Sequence, residues 1–354
     1  MPRTDPVLLF LASALLTLAM ACGDSEPIPP ESATASPPSA PPSKESVLRA
    51  RARAVLGELP DQAPAAGGTA SAALVALGRV LYHDPRLSQD GDISCATCHG
   101  LSEYGVDGLP TSRGHRGQVG SRNAPTVYNA ALHASQFWDG RSPDVEDQAK
   151  GPILNPVEMA MTDGDAVMAR VDAIPGYAEL FRAAFPGEQT AATYDNLGTA
   201  IGAFERQLLT PGPLDAWLRG DDEALTGPQR EGLATFLDVG CATCHGGPAV
   251  GGTLYMKLGL VRPYEDDDPG RQAVTGLESD RQVFKVPSLR NVAETGPWFH
   301  DGSVTELDDA IARMGAHQLG LDLTPTQLAS IAAFLEALTG PLPDAWVAAP
   351  AQPG

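Results

Sequence analysis

Apolar residues recur at helical spacing along most of the chain, and this pattern predicts a mostly α-helical protein. The clearest stripe lies in 194–209, where Leu197, Ile201, Phe204 and Leu208 fall on one face. Similar patterns predict helices over 46–59, 69–82 and 228–239. No segment alternates polar and apolar positions well enough to predict a strand.

Two more helices are predicted near the C-terminus from capping boxes, in which a hydroxyl and a Glu or Gln three residues later satisfy the first backbone N–H groups. One box extends from Ser303 to Glu306 and the other from Thr324 to Gln327. We expect Gly315 to end the first of these helices, because glycine is the usual residue just beyond a helix C-terminus.

The N-terminus has the pattern of an export signal. Arg3 precedes an apolar run over 7–21, and Cys22 follows directly. A signal peptide over 1–21 and lipidation of Cys22 are predicted; an ordinary secretion signal cleaved nearby is the alternative. Residues 22–45 are rich in Pro, Ser and Ala and predict a disordered tether. On either interpretation the protein is exported, and with lipidation it is a periplasmic protein anchored to a bacterial membrane.

Length and charge narrow the possibilities further. A chain of 354 residues suggests two domains. Pro211 and Pro213 follow the helix over 194–209, so we place a boundary there, with domains over 46–211 and 212–346 and a disordered tail over 347–354. The net charge of −20 argues against nucleic acid as a partner, because phosphates would be repelled. It suits a basic or dipolar protein partner.

Four of the five cysteines lie in two identical Cys-Ala-Thr-Cys-His pentapeptides, formed by Cys95, Cys98 and His99 and by Cys241, Cys244 and His245. This pattern is typical of c-type haem attachment, in which the thiols bond the haem and the histidine ligates iron. A thioredoxin-like redox pair or half of a zinc site is the alternative. A redox pair does not need the following histidine, so two covalently bound haem c groups are predicted.

Several further segments, in the same order, resemble the bacterial di-haem cytochrome c peroxidase family. They are 91–99, 122–129, 136–141, 146–152, 158–159, 297–302 and 314–320, and the resemblance covers about 46–340. It implies two cytochrome c-like haem domains with unequal roles. The haem on His99 would be the low-potential peroxidatic one, and the haem on His245 the high-potential electron-transfer one.

The resemblance also implies the second iron ligands. Met314 matches the ligand of the His245 haem, and methionine in place of histidine raises the potential of haem iron. His115 matches a histidine that blocks the peroxidatic iron until the other haem is reduced. Glycines at 114, 117 and 120 would let its loop move. The alternatives are a core methionine and an exposed loop histidine.

Glu158 and Gln148 match polar residues of the opened peroxide pocket. A carboxylate there can move a proton from the inner to the outer peroxide oxygen. Trp138 matches a tryptophan that lies between the haems and offers a path for electrons. The alternatives are solvated surface residues for the first two and an ordinary core aromatic for Trp138.

Asn123, Thr295 and Pro297 match a calcium site of the family. One amide oxygen and two main-chain carbonyls, completed by water, suit a hard cation. Because these residues come from both halves of the chain, bound calcium would couple the haem domains.

The sequence therefore predicts a peroxidase that reduces hydrogen peroxide to water with electrons from a small c-type cytochrome or blue copper protein. One alternative is a relative that oxidises a protein substrate, as in tryptophylquinone maturation, but that relative has Tyr where this chain has Met314. Another is a non-enzymatic di-haem electron carrier, which would have no use for Glu158. Family members commonly form homodimers, although no interface is legible in the sequence.

Overall fold

The computed structural model describes residues 43–65 and 68–354. The predicted signal peptide, Cys22 and the tether up to residue 42 lie outside the described residues. The described part is mostly helical, so the predicted fold class is confirmed. None of its helices combines the length and apolar character needed to cross a membrane.

The helices before Pro211 include the first haem motif. They are α1 (Lys44–Val55), α2 (Ala72–Tyr82), α3 (Cys95–Cys98), α4 (Val145–Gln148), α5 (Lys150–Leu154), α6 (Gly164–Asp172), α7 (Pro175–Ala184) and α8 (Tyr194–Glu205). The helices predicted over 69–82 and 194–209 are confirmed as α2 and α8. The helix predicted over 46–59 is α1, which begins two residues earlier because Ser43 accepts a hydrogen bond from the N–H of Ser46.

The second half contains the second haem motif and a small sheet. Its helices are α9 (Pro213–Arg219), α10 (Gly227–Val239), α11 (Gln272–Thr275), α12 (Leu307–Met314), α13 (Pro325–Glu336) and α14 (Asp344–Val347). Strands β1 (Tyr255–Lys257) and β2 (Val283–Lys285) pair antiparallel, with Met256 opposite Phe284. The prediction of no strand was wrong here, because three residues are too few to show an alternating pattern.

Each half packs the helix before its haem motif against a later helix through one glycine. A Cβ on Gly78 of α2 would lie 1.8 Å from the carbonyl oxygen of Ala200 in α8. A Cβ on Gly232 of α10 would lie 1.8 Å from the carbonyl oxygen of Ser330 in α13. Only glycine allows such close helix contacts. The two haem motifs therefore follow helices that are held in the same way.

The described residues form two hydrophobic cores. The first is built around α2, α7 and α8 and the second around α9, α10 and α13. Ala52 and Leu56, which the sequence assigns to the N-terminal domain, lie in the second core. Leu342 and Trp346 pack against the first core. Thus α1, near the start of the described residues, packs in the second core, and residues near the C-terminus pack against the first core. The domain boundary at 211 stays a prediction.

The C-terminal residues form an ordered strap where a disordered tail over 347–354 was predicted. Arg86 donates to the carbonyl oxygen of Pro353 at 3.0 Å, and Gln352 donates to that of Val80 at 3.2 Å. Arg79 donates to the carbonyl oxygen of Ala348 at 2.6 Å. Two tail carbonyls and the Gln352 side chain thus hold this segment by hydrogen bonds to residues of the first half, which composition alone does not reveal.

The surroundings of α12 also differ from the prediction. Glu306 precedes the helix without a side-chain cap, and the Ser303 N–H bonds Asp301 instead, so the predicted first capping box is wrong. Gly315 does not end the helix, which continues as a π-helical turn, Gly315–Leu319, up to Gly320 at φ 71°. The second box is confirmed, since Thr324 and Gln327 bond each other reciprocally at the start of α13.

Candidate functional site

Both histidines of the haem motifs are oriented by a backbone carbonyl. Nδ1 of His99 lies 3.1 Å from the oxygen of Gly105, and Nδ1 of His245 lies 3.2 Å from that of Pro287. Such a bond places the proton on Nδ1 and leaves Nε2 as a lone-pair donor for iron. The two motifs therefore fit axial ligation of haem at two separate places.

Burial sets the protonation of these groups. It lowers the pKa of His99, and it lowers that of His245 to about 4, so both imidazoles are neutral near pH 7, as an iron ligand must be. Burial also raises the pKa of the motif cysteines, to about 11 for Cys241. Residues 43–65 and 68–354 bring no three His, Cys, Asp or Glu side chains together as a metal site.

Glu158 lines a cavity of about 400 Å³. Burial is the main reason that the pKa of the Cys95 and Cys98 thiols is raised, and the Glu158 carboxylate adds to it in both. The carboxylate is therefore an electrostatic neighbour of both thiols. The other cavity residues are Phe137, Arg141, Ser142, Asp147, Lys150, Gly151, Pro152, Leu154, Asn155 and Tyr194.

The protonation of Glu158 is balanced between opposing effects. Burial raises its pKa, whereas the Arg141 charge and a 2.7 Å hydrogen bond from Asn155 lower it. The net direction is upward, which suits a group that must both take up and release a proton. Gln148 is half-buried at the end of α4 but is not among the residues that line the cavity.

His115 lies on a loop that is tied to the Glu158 segment. Its backbone N–H donates to the carbonyl oxygens of Glu158 at 2.7 Å and Val157 at 3.0 Å. A Cβ on Gly114 would lie 2.0 Å from the oxygen of Val157, so this approach requires glycine. The His115 side chain is only 12% exposed, and its Nδ1 lies 3.7 Å from Asp90. These contacts do not fit a freely exposed loop histidine.

Trp138 contacts both halves of the chain. Its indole N–H donates to the carbonyl oxygen of Asn123 at 3.0 Å, and its own carbonyl accepts from Lys285 at 2.7 Å. Its ring lies 6.3 Å from that of His300, edge to face. These contacts join segments of the first half to segments that follow the second haem motif.

The predicted calcium residues also involve both halves. The Asn123 N–H donates to the carbonyl oxygen of His300 at 2.7 Å, and its amide nitrogen donates to that of Leu109 at 3.0 Å. The amide oxygen has no hydrogen bond from the residues described. Thr295 and Pro297 lie a few residues before His300, both half-buried. The donor set fits a hard cation.

Met314 ends α12 without joining either hydrophobic core. Ile311, one turn earlier, is buried in the second core, whereas Met314 is half-buried and packs against neither cluster. The π-helical turn that follows lies beside the second haem motif, because a Cβ on Gly240 would be 3.9 Å from Leu319. This placement disfavours the core-methionine alternative.

A feature that the sequence analysis missed holds the turn after Met314. The Gln318 side chain accepts from the N–H groups of Gly259 at 3.0 Å and Leu260 at 2.9 Å, and it donates to Lys257 at 3.1 Å. No signal in the local sequence predicts these partners, since they lie about 60 residues away. Arg141 was also missed, although it lies within the 136–141 segment that carries the family resemblance.

Comparisons with known proteins agree with this geometry. Residues 72–223 match the family model for di-haem cytochrome c peroxidase. The cytochrome c551 peroxidase of Nitrosomonas europaea is 47% identical over 277 residues, which cover 77% of this chain and 82% of the relative. That of Pseudomonas aeruginosa is 48% identical over 273 residues, covering 75% and 79%.

Among solved structures, a MauG-like protein associated with microbial copper homeostasis is similar. It has a TM-score of 0.72 and 27% identity, with 82% of this chain and 95% of that chain covered. The two haem c attachment motifs and these relatives together identify the chain as a member of the di-haem cytochrome c peroxidase family.

Proposed function

We propose that this protein is a cytochrome c peroxidase that reduces hydrogen peroxide to water with electrons from a small donor, a c-type cytochrome or a blue copper protein. The observation that carries this proposal is Glu158, a half-buried carboxyl that lines a cavity and whose charge reaches the thiols of Cys95 and Cys98. An electron carrier needs neither the cavity nor the carboxyl.

Haem bound through His99 supplies the iron at which the peroxide O–O bond breaks. Glu158 takes a proton from the inner peroxide oxygen and returns it to the outer one, which leaves as water. The bond from Asn155 orients the carboxyl, and its raised pKa makes the uptake of the proton easier. His115 closes this site at rest, and its glycine-flanked loop moves aside when the site opens.

The second half holds the electron-transfer site. Met314 and His245 would hold the second haem, and the bonds of Gln318 hold the turn that follows Met314. A thioether ligand raises the potential of haem iron, so a haem held here would be the one that stores the electron from the donor. Trp138, with contacts on both sides, offers the path between the two sites. Gln148 needs to move to reach the cavity, and we assign it only to the opened state.

The main alternative is an oxidase that acts on a protein substrate. The likeness to a MauG-like structure keeps this alternative open. Against it stands Met314, the last residue of α12, at the place where the tryptophylquinone-maturation relative carries tyrosine.

Measuring the oxidation of the electron donor in the presence of peroxide distinguishes a peroxidase from a protein-substrate oxidase and from an electron carrier. We expect reduced c-type cytochrome to be oxidised in the presence of peroxide, with two cytochrome molecules consumed per peroxide. A protein-substrate oxidase would leave the cytochrome reduced, and a carrier would oxidise it without consuming peroxide. The Glu158→Gln variant serves as the matched chemical control, because it keeps both haem motifs.

We also propose that Asn123, Thr295 and Pro297 bind calcium. The uncommitted amide oxygen of Asn123 supports this, since its nitrogen is already engaged by Leu109. Asn123→Ala should weaken calcium binding, measured by calorimetry, and slow electron transfer between the haems. Metal analysis that finds no calcium, together with activation that chelators leave unchanged, would contradict the site.

Export and anchoring form a third proposal. The apolar run before Cys22 supports a lipid anchor that holds the protein in the periplasm. Cys22→Ser should release the protein from membranes or block its processing. Membrane association that stays unchanged in this variant would rule out the anchor. A homodimer stays a prediction, which sedimentation of the purified protein tests.

A further inference from the structure

Arg141 lies at the peroxide cavity with part of its guanidinium unused. Its Nη1 donates to both carboxylate oxygens of buried Asp139 at 3.0 Å. Its guanidinium carbon lies 3.4 Å from the ring centroid of Phe137. These two contacts fix the plane of the group. Nε and Nη2 donate to no residue in the described ranges, and the side chain is 41% exposed at the cavity.

The other cation at the cavity is already paired. Lys150 lies 2.9 Å from Asp195 and 3.6 Å from Asp147. Lys150 thus has two carboxylate partners, whereas Arg141 has one and keeps two nitrogens without an acceptor among the described residues. Its charge also reaches the carboxyl of Glu158.

We propose that Arg141 is a catalytic residue that donates a hydrogen bond from Nε or Nη2 to the outer oxygen of bound peroxide. The inference rests on the proposed function, since it assigns a peroxide-binding residue to that cavity. The overall step takes hydrogen peroxide, two electrons from the donor protein and two protons to two water molecules. The O–O bond breaks, and the outer oxygen gains negative charge before it is protonated.

The guanidinium suits this task because it cannot give up its proton. It stabilises the charge on the outer oxygen, while Glu158 delivers the proton that makes water. Removing one donor of this kind typically lowers turnover by about 10²–10³-fold. The anchoring by Asp139 and Phe137 means that the donor is oriented before peroxide enters, which is what makes such a group effective.

The test uses the full-length holoenzyme in its half-reduced form. We expect Arg141→Gln to lower kcat/KM for peroxide by about 10²–10³-fold and Arg141→Lys to lower it less. Fluoride, a small anion that accepts a hydrogen bond, gives a second readout in the same cavity. Its Kd, followed by absorption spectra, should rise at least about tenfold in Arg141→Gln, because a charge-assisted bond is lost.

Two matched variants separate charge from structure. Lys150→Gln removes the paired cation of the cavity and should leave the fluoride Kd within about twofold of the wild-type value. Arg122 also binds Asp139, because its Nη1 donates to the Asp139 carboxylate at 2.7 Å, but Arg122 does not line the cavity. Arg122→Lys therefore perturbs Asp139 without removing a cation from the cavity. If this variant reduces fluoride binding and peroxide reduction as strongly as Arg141→Gln, Arg141 acts only by supporting Asp139 and the inference is wrong.

The remaining outcomes are also decisive. If wild-type enzyme consumes peroxide and a folded Arg141→Gln keeps its rate and fluoride affinity, the inference fails while the proposed function stands. If Arg141→Gln does not fold, Arg141→Lys decides by the same two readouts. If wild-type enzyme consumes no peroxide, the proposed function itself fails.

Discussion

The backbone N–H of His115 donates a hydrogen bond to the carbonyl oxygen of Glu158 at 2.7 Å. The residue assigned to close the peroxide site is thus joined directly to the residue assigned to move the proton. When the His115 loop leaves, this bond and the one to Val157 must break. Opening of the site and release of the Glu158 segment are therefore one event.

Removing the His115 side chain should open the site permanently. His115→Gly is expected to give a five-coordinate or water-bound iron at rest and peroxide turnover without prior reduction, because no imidazole remains to block the iron. Absorption spectra of the oxidised enzyme, recorded beside turnover, check this. A resting spectrum that stays six-coordinate and low-spin would show that another residue is the ligand.

Replacing the Glu158 carboxyl should impair chemistry but leave the gate intact. Glu158→Gln keeps the shape and the backbone bond to His115, but an amide cannot carry the proton. Turnover should fall by about 10²–10⁴-fold, the usual contribution of a general acid–base group. Spectra of the resting and half-reduced states should not change. Glu179→Gln, at an exposed site on α7, is the control, and full turnover in Glu158→Gln would move the proton shuttle elsewhere.

The ligand at Met314 should set the potential of the second haem. Met314→His is expected to lower the potential of the His245 haem, since imidazole favours oxidised iron more than a thioether does. A spectroscopic redox titration resolves the two haems, and the His99 haem serves as the internal reference. An unchanged potential at the His245 haem would mean that Met314 is not a ligand.

Glu205 should make the fold more stable at low pH. Burial, aided by the charge of Glu146, raises its pKa to about 8. Between the usual carboxyl pKa of about 4.3 and this value, the folded protein holds a proton that the unfolded chain has released. The free energy of unfolding therefore falls as pH rises through this window.

Glu205→Gln removes this dependence on pH. The gain in Tm over the wild-type protein should be larger at pH 8 than at pH 5, as thermal unfolding at both values would measure. An equal difference at the two pH values would show that Glu205 is charged in the folded protein throughout this range.

The sequence predicts the parts of this site that depend on local spacing. The two pentapeptides predict haem attachment, apolar periodicity predicts α2, α8 and α10, and a capping box predicts α13. Contacts between segments that are distant in the sequence cannot be predicted from local spacing. Gly78 and Gly232 read as ordinary helix glycines, yet each is required by a carbonyl from a helix about 100 residues later.

The same limit explains the errors around α12 and the C-terminus. Gly315 carries the usual signal of a helix end, but Gln318 and the loop at 259–260 supply the partners that let the chain continue to Gly320. The tail at 347–354 is rich in Pro and Ala and has few side chains to bury, so its order depends on hydrogen bonds from Arg79 and Arg86. In both places, contacts with residues distant in the sequence determine the local structure.

The most direct test of a gated peroxidase is the rate of peroxide consumption by wild-type enzyme, fully oxidised and half-reduced, measured by stopped flow with reduced cytochrome c as the donor for later turnovers. If His115 blocks the iron and its loop moves away together with the Glu158 segment, the first turnover should be slow from the oxidised enzyme and fast from the half-reduced enzyme. Equal fast rates from both states would contradict the gate, and no peroxide consumption from either state would contradict the peroxidase.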